Sequence, residues 1–393
     1  MNITEVETIR LSCPVPPDRR WRLSGIRSDG IQGAKNDMVI VRLHTDDGLT
    51  GIGEPSPYGG AEELRTAIDA LAPTLIGEDP HNVAQLGTPA VDQRLGAPRY
   101  VRAAIDMACW DLIGKAAGQP ISKLLGGRYV EEVPVYASGG IDWRFVEDSG
   151  RLVAEAESYV EAGFEAFKFR IGPDERFLDA IGVLADAVGD DLDLIFEGNA
   201  RFTLPEAIRM GERIRQYNPR WFEEPLDTSD LDGYHRLRRA LPGIRITGGE
   251  MATSFDRLAP WLDAGAYDIV QPDANVMGIT ETKRVADYAR YYDVPCVPHS
   301  WHNAITMAAN LQVVAAIPNR EILEWQRTWH WSAEPFRTEI LVDPIPFENG
   351  TLSVPDGPGL GIELDEDAIA DYPYEAGPVQ EAWDGPGGEP RPI

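Results

Sequence analysis

Apolar and polar positions along the chain change their period once, near residue 133. Before it, ITEVETIRLS and MVIVRLHTDDGLTGIGE alternate with a period near two, and the DDG turn in the second predicts a hairpin within a β-rich stretch over residues 1–55. Two helically spaced stretches follow, at 60–75 and 98–117, the second containing RAAIDMACWDLIGKAAG. The glycine-rich pause GQPISKLLGG closes this first unit. From 133 onward, short apolar strands alternate with longer amphipathic segments. The strands are VPVYAS, FEAFKFRI, LDLIFEG, RWFEEP, IRITGGE, DIVQPD, VPCVPHS and EILEWQ, and helical stretches such as RLVAEAESYVEAG and LPEAIRMGERIRQY separate them. Strict β–α alternation of eight strands predicts an α/β fold built on a closed parallel (β/α) barrel. The Pro/Gly-punctuated tail from about 337, with VPDGPGLGIELDEDAI, is expected to fold back on the N-terminal unit, and the last 20 residues or so are expected to be disordered. The expected organisation is an α+β capping domain over 1–130, the barrel over 131–335, and a segment over 336–393 that completes the cap.

Within the strand EAFKFRIG, alternation puts Phe167, Phe169 and Ile171 on one face and Lys168 and Arg170 on the other, toward the barrel interior. Every later strand also ends in a charged or titratable residue: Glu197, Glu223, Glu250, Asp273, His299 and Glu324. From Arg170 onward the steps are 27, 26, 27, 23, 26 and 25 residues, the length of one βα unit. These groups therefore recur at one height, at the C-terminal mouth where barrel enzymes keep their chemistry. Three neighbouring carboxylates, Glu197, Glu223 and Glu250, would repel one another when partly buried. A hard divalent cation removes that problem, and all-oxygen ligation favours Mg²⁺, with Mn²⁺ possible. Asp273, one strand from His299, is placed to orient the imidazole and raise its basicity. His44, His81, His235 and His330 lack such company and read as surface or packing residues, whereas His302, in HSWHN, is a candidate for substrate contact.

Composition narrows the setting. At 393 residues the chain exceeds one ordinary core, and no apolar run approaches the ~20 residues needed to span a bilayer. MNITEVETIR lacks the layout of a secretory signal, and Cys13, Cys109 and Cys296 fit neither a disulfide framework nor a zinc cluster, which implies a cytoplasmic setting. The net charge of −28 argues against nucleic acid or an anionic membrane as partner. With five lysines against 31 arginines, it also suggests a salt-adapted, halophilic cytoplasm.

A metal beside cations that hold a carboxylate can stabilise the ene-diolate formed by removing the α proton, and His299 is the natural base near neutral pH. These residues resemble the mandelate racemase/muconate lactonizing enzyme branch of the enolase superfamily, and the resemblance runs along essentially the whole chain. Lys168-Phe169-Arg170 is similar to the family's Lys-x-Lys strand, and Glu197-Gly198-Asn199 to its Asp-x-Asn motif. WFEEP at Glu223 and GGE at Glu250 resemble the second and third ligand motifs, DIVQPD and VPHS the Asp–His dyad, and LEW the position of an acid on the substrate carboxylate. The resemblance implies metal ligation by Glu197, Glu223 and Glu250, and catalytic roles for Lys168, Arg170, Asp273, His299 and Glu324.

Two positions depart from the family pattern. Glu197 adds a methylene to the usual Asp, and Arg170 replaces the Lys that acts as a second base in racemases. Arginine stays protonated, so the departure favours a one-base enzyme. Lys-to-Arg drift in a lysine-poor chain is the alternative explanation. The expected activity is dehydration of an aldonate or aldarate to a 2-keto-3-deoxy acid; the alternatives are an epimerase, racemase or cycloisomerase working through the same enolate, or a non-catalytic relative. Substrate contacts are expected from Asn199 and from two cap loops, 14–30 and 54–60, through Trp21 and Tyr58. The expected partner is a small carboxylate substrate, and the resemblance implies a homo-oligomer.

Overall fold

The structure, a computed structural model, describes residues 1–23, 30–56, 60–86, 99–301, 303–326, 335–383 and 391–392. Strands Ile3–Pro14 and Lys35–Thr45 run antiparallel, and Thr50–Gly53 completes a three-stranded sheet. Helices Ala61–Leu75 and Arg99–Ala117 cover one face, where Val39, Val41 and Leu43 pack with Leu64, Ile68, Val101 and Ile105.

Six barrel strands follow in parallel order: Glu132–Gly139, Ala166–Arg170, Asp193–Glu197, Trp221–Glu223, Ile246–Gly248 and Ile269–Val270. The eighth, Leu323–Gln326, pairs in parallel with the first. The seventh position differs from the sequence expectation of a full strand. Cys296 alone bridges Val270 on one side and Arg320 on the other. Pro295 and Pro298 flank it and have no N–H to give to a ladder, so the strand shrinks to a bridge while the barrel still closes.

Alternation along the strands builds the interior in layers. Tyr136, Ala166, Ile195, Trp221, Ile269, Val297 and Ile322 form an apolar floor. Two residues further along each strand, the next inward positions are Ser138, Lys168, Glu197, Glu223, Gln271, His299 and Glu324, all buried. The outward faces, including Phe167, Phe169, Phe196 and Phe222, pack into the main core under the barrel helices.

After the barrel, Thr351–Ser353 pairs antiparallel with the first barrel strand. Leu11 bridges Pro373, and Gln380–Trp383 pairs antiparallel with Gly30–Gly33. The expectation of a disordered tail is thus not met over Gln380–Trp383, because a strand edge supplies main-chain partners whatever the side-chain composition. Among the described residues, no helix is long and apolar enough to cross a membrane.

Glu54, just past Gly53, ties the cap to the barrel. It is 1% exposed and accepts hydrogen bonds from Asn303 (Nδ2, 2.9 Å) and the Thr306 amide (3.1 Å), at the start of helix Ala304–Ala315. Burial pushes its carboxyl up to about 7, against these bonds, which favour the ionised form. A raised folded-state value means that the unfolded chain ionises first as pH rises. Stability should therefore fall between the ordinary carboxylate value of 4.5 and about 7, by about 3 kcal/mol from this group. Glu54→Gln should flatten that part of the pH–melting profile between pH 5 and 8, whatever its effect on absolute stability. An unchanged slope would show that Glu54 does not carry this titration.

Candidate active site at the barrel mouth

The strand ladders set which side chains share a level. Arg170 lies beside Glu197, and Glu197 beside Glu223. The third acid arrives by a turn: Gly248 is pressed against Tyr267 and Glu224, where a Cβ would come within 2.9 Å of the Tyr267 ring, and Gly249 takes φ +116°. That backbone conformation favours glycine, and it delivers Glu250 to the same mouth. Carboxylate oxygens of Glu197, Glu223 and Glu250 lie within 4.8 Å of one another.

Lys168, 0% exposed, is the countercharge to this cluster. Its Nζ lies 2.5 Å from Glu223, 2.8 Å from Glu324 and 3.2 Å from Glu197. Burial alone would lower its pKa, but Glu223, Glu324 and Glu197 hold it well above the ordinary lysine value. Glu223 is pushed up to about 7 by burial, with Glu197 and Glu324 adding to the rise and Lys168 opposing it. Trp221 Nε1 and Gln271 Nε2 each donate to Glu223 Oε2 at 2.8 Å. Burial also raises Glu250. Glu197 takes the Asn199 amide on Oε1 at 2.9 Å, while its buried Oε2, ion-paired with Lys168 at 3.2 Å, receives no hydrogen bond among the described residues. Three hard oxygen donors, one with an unfilled lone-pair direction, fit a hard divalent cation.

Across the mouth, His299 Nδ1 lies 2.7 Å from Asp273 Oδ2, which fixes the ring and turns Nε2 toward Glu250 (3.3 Å) and Glu324 (3.7 Å). Asp273 is itself held by the Asn275 amide at 3.0 Å, and Asn310 Nδ2 donates to the His299 carbonyl at 3.0 Å. Burial would lower the imidazole pKa, yet Glu250, Glu324 and Asp273 raise it to about 10. Glu324 moves the other way: despite burial, Lys168, His299 and Arg170 hold it well below the usual carboxylate range.

Arg170 is held differently from Lys168. Its Nη1 donates to the Gly139 carbonyl at 2.9 Å and to Ser138 Oγ at 3.3 Å, and its guanidinium lies 4.0 Å from the Trp301 ring centre. The Asn199 side chain is taken up by Arg201, whose Nη1 donates to Oδ1 at 2.8 Å. Trp21 is 6% exposed, packed down on Gly33, where an added Cβ would fall 2.3 Å from its Nε1. In this structure its indole packs the small sheet of Arg22–Leu23 and Gly30–Gly33. Tyr58 and His302 lie outside the described residues.

Several mouth residues were not singled out from the sequence: Ser138, Glu224, Gln271, Trp301 and Gln326. Gln271 and Gln326 sit two positions beyond Ile269 and Glu324, so inward alternation in DIVQPD and LEWQ was a signal for both. Glu224 gave no such signal, because it leaves the strand in a left-handed conformation (φ 34°) to bond the Gly249 amide at 2.9 Å.

Residues 151–368 match the family described as enolase C-terminal domain-like, and residues 26–126 match the mandelate racemase/muconate lactonizing enzyme N-terminal domain. The chain is 36% identical to D-galactarolactone cycloisomerase of Agrobacterium fabrum, over 95% of this chain and 99% of that one. It is 30% identical to arabinonate dehydratase of Saccharolobus solfataricus, over 94% and 99%. The crystal structure of 3,6-anhydro-D-galactonate cycloisomerase from Zobellia galactanivorans superposes with a TM-score of 0.82 at 30% identity, covering 95% of this chain and all of that one. With both domain matches in their expected order and relatives aligned along nearly their full length, the chain belongs to the mandelate racemase/muconate lactonizing enzyme branch of the enolase superfamily.

Proposed function

We propose that the chain is a one-base β-eliminating enzyme of sugar acids, a dehydratase that converts an aldonate or aldarate to its 2-keto-3-deoxy acid. The observation that carries this reading is the asymmetry of the mouth. One side presents His299, set by Asp273 at 2.7 Å; the side of Lys168 and Arg170 presents a lysine held by three carboxylates and a permanently charged guanidinium. A racemase needs a proton acceptor on both faces of the α carbon, and among the described residues one is at hand, His299.

Glu197, Glu223 and Glu250 would hold Mg²⁺, with Mn²⁺ the alternative, and the ion would supply Lewis-acid stabilisation of the charge that develops on the substrate carboxylate. His299 Nε2 takes the α proton, the C–H electron pair moves into the carboxylate as an ene-diolate, and it returns to form the Cα–Cβ π bond as the Cβ–O bond breaks. The departing hydroxide takes a proton and leaves as water, and the resulting enol gains a proton at Cβ to give the ketone. His299 can return its proton to the leaving group when both groups depart from the same face. Its pKa of about 10 keeps it protonated while the charge of Glu250 is not offset, so proton abstraction requires that charge to be compensated. Lys168, beside the acid triad and Glu324, supplies fixed positive charge next to the developing anion, and Arg170 adds a permanent charge two residues further toward the mouth.

A second reading keeps every step but the leaving group. If the β-oxygen belongs to a ring, its expulsion opens the ring without releasing water, and the enzyme is a cycloisomerase. The 36% identity to D-galactarolactone cycloisomerase favours keeping this reading. Incubation of the Mg²⁺-supplemented enzyme with open-chain sugar acids and their lactones in deuterated water separates the readings. A keto acid from an open-chain acid supports dehydration, and one from cyclic substrates alone supports ring opening. Deuterium exchange at the α carbon with no keto product would overturn both.

A further inference from the structure

The eighth strand carries a side chain that the reaction above leaves unused. Gln326 follows Glu324 by two residues, so it also points into the barrel, one step nearer the mouth, and it is 0% exposed. Its amide orientation is fixed from one end, because Arg337 donates to Oε1. The opposite end, Nε2, is buried and has no hydrogen-bond partner among the described residues. A buried donor left without an acceptor is costly, and an active-site donor of this kind is satisfied when a ligand oxygen reaches it.

The neighbouring strand ends point the same way. The ladder places Gln326 beside Ser138, and Ser138 Oγ accepts from Arg170. Arg170 is 7% exposed, yet its contacts are the neutral oxygens of Ser138 and Gly139 and the face of Trp301, and among the described residues it forms no ion pair. Lys168, two residues earlier, is compensated by three carboxylates. The Arg170 charge acts on Glu324 and Glu155 from beyond ion-pair distance, an unusual arrangement for a buried guanidinium in a chain carrying 64 Asp and Glu residues. The wall formed by strands eight, one and two thus has a charge and a directed N–H donor, and lacks the oxygen-rich group that both would bind.

We propose that Gln326 and Arg170 bind a second carboxyl group of the substrate, so that the site takes a sugar acid oxidised at both ends in preference to an aldonate. This rests on the sugar-acid reading above and narrows it. The second carboxyl is either the free carboxylate of an aldarate or the carbonyl of its lactone; Arg170 charge-pairs with the first, and both accept from Gln326 Nε2.

The test is calorimetric titration of the Mg²⁺-supplemented wild-type and His299→Asn proteins, the latter to hold ligand without turnover, with galactarate, galactaro-1,4-lactone and galactonate. Galactarate or its lactone should bind at least about tenfold more tightly than galactonate, and which of the two leads identifies the form of the second carboxyl. Gln326→Leu should cut that preference to less than about threefold, and Gln326→Glu should abolish it for galactarate by setting a carboxylate against a carboxylate. Galactonate binding as tightly as both others, or an equal loss for all three ligands in the Gln326 variants, would overturn the proposal. If an unfolded variant confuses the comparison, the wild-type preference decides by itself. The two readings also fail separately. Turnover of aldonates alone would sink the second carboxyl site and leave the elimination standing, whereas selective binding of galactarate or its lactone without turnover would do the reverse.

Discussion

Replacing His299 by asparagine is expected to lower kcat/KM on the order of 10⁴-fold and to abolish deuterium exchange at the α carbon, with the fold intact. The expectation follows from the position of the ring. Its Nδ1 is bound to Asp273 at 2.7 Å, so Nε2 is the atom turned to the mouth. The other basic groups there are poor substitutes: Lys168 is held by three carboxylates that keep it protonated, and Arg170 stays charged at any working pH. Asparagine approximates the imidazole in shape but cannot accept the proton. The measurements are steady-state turnover and NMR of recovered substrate from deuterated buffer, with circular dichroism as the fold control. Activity within tenfold of the wild type would place the base elsewhere and remove the one-base reading with it.

The second large effect concerns stability. Lys168→Met should destabilise the metal-free protein by about 3–5 kcal/mol, because it leaves Glu223 and Glu324 buried without their nearest cation. The methionine fills most of the lysine volume, so the loss is electrostatic, with little contribution from a cavity. The acids would respond by taking up protons, so the variant should recover part of its stability at low pH. Mg²⁺ should also stabilise the variant more than the wild type, since a divalent cation at the triad supplies the missing positive charge. Melting curves in EDTA and in Mg²⁺, at pH 5 and pH 8, check each part. A variant that melts with the wild type in EDTA would mean that Lys168 is not the countercharge of the acid cluster.

Much of the architecture was legible in the sequence because a βα unit has a nearly fixed length. Once Arg170, Glu197, Glu223, Glu250, Asp273, His299 and Glu324 recur at about one unit apiece, they gather at one end of any closed parallel barrel, although the inward layer itself takes Lys168 and Gln271 where the spacing pointed to Arg170 and Asp273. Inward direction was legible for the same local reason: alternation puts Lys168 and Arg170 on one face of a strand whose other face is phenylalanine. Two-residue alternation reaches Gln271 and Gln326 as well, although a neutral amide at a strand end carries no charge to mark it.

Pairing was decided by contacts between segments far apart in the chain. Lys168 and Arg170 look equivalent in EAFKFRIG, yet the first is enclosed by Glu197, Glu223 and Glu324, while the second rests on Ser138, Gly139 and Trp301. Trp21 read as a cover for a sugar ring, whereas the sheet folds it onto Gly33. The seventh strand read as a strand and is a single bridged residue, because its ladder depends on donors that Pro295 and Pro298 lack. Covalent spacing and two-residue alternation are local, so the sequence by itself determined the barrel, its level of charged side chains and the face they point to. Which cation meets which acid, and which donor is left with none, depends on ladder register and barrel closure, and only the tertiary structure decided those.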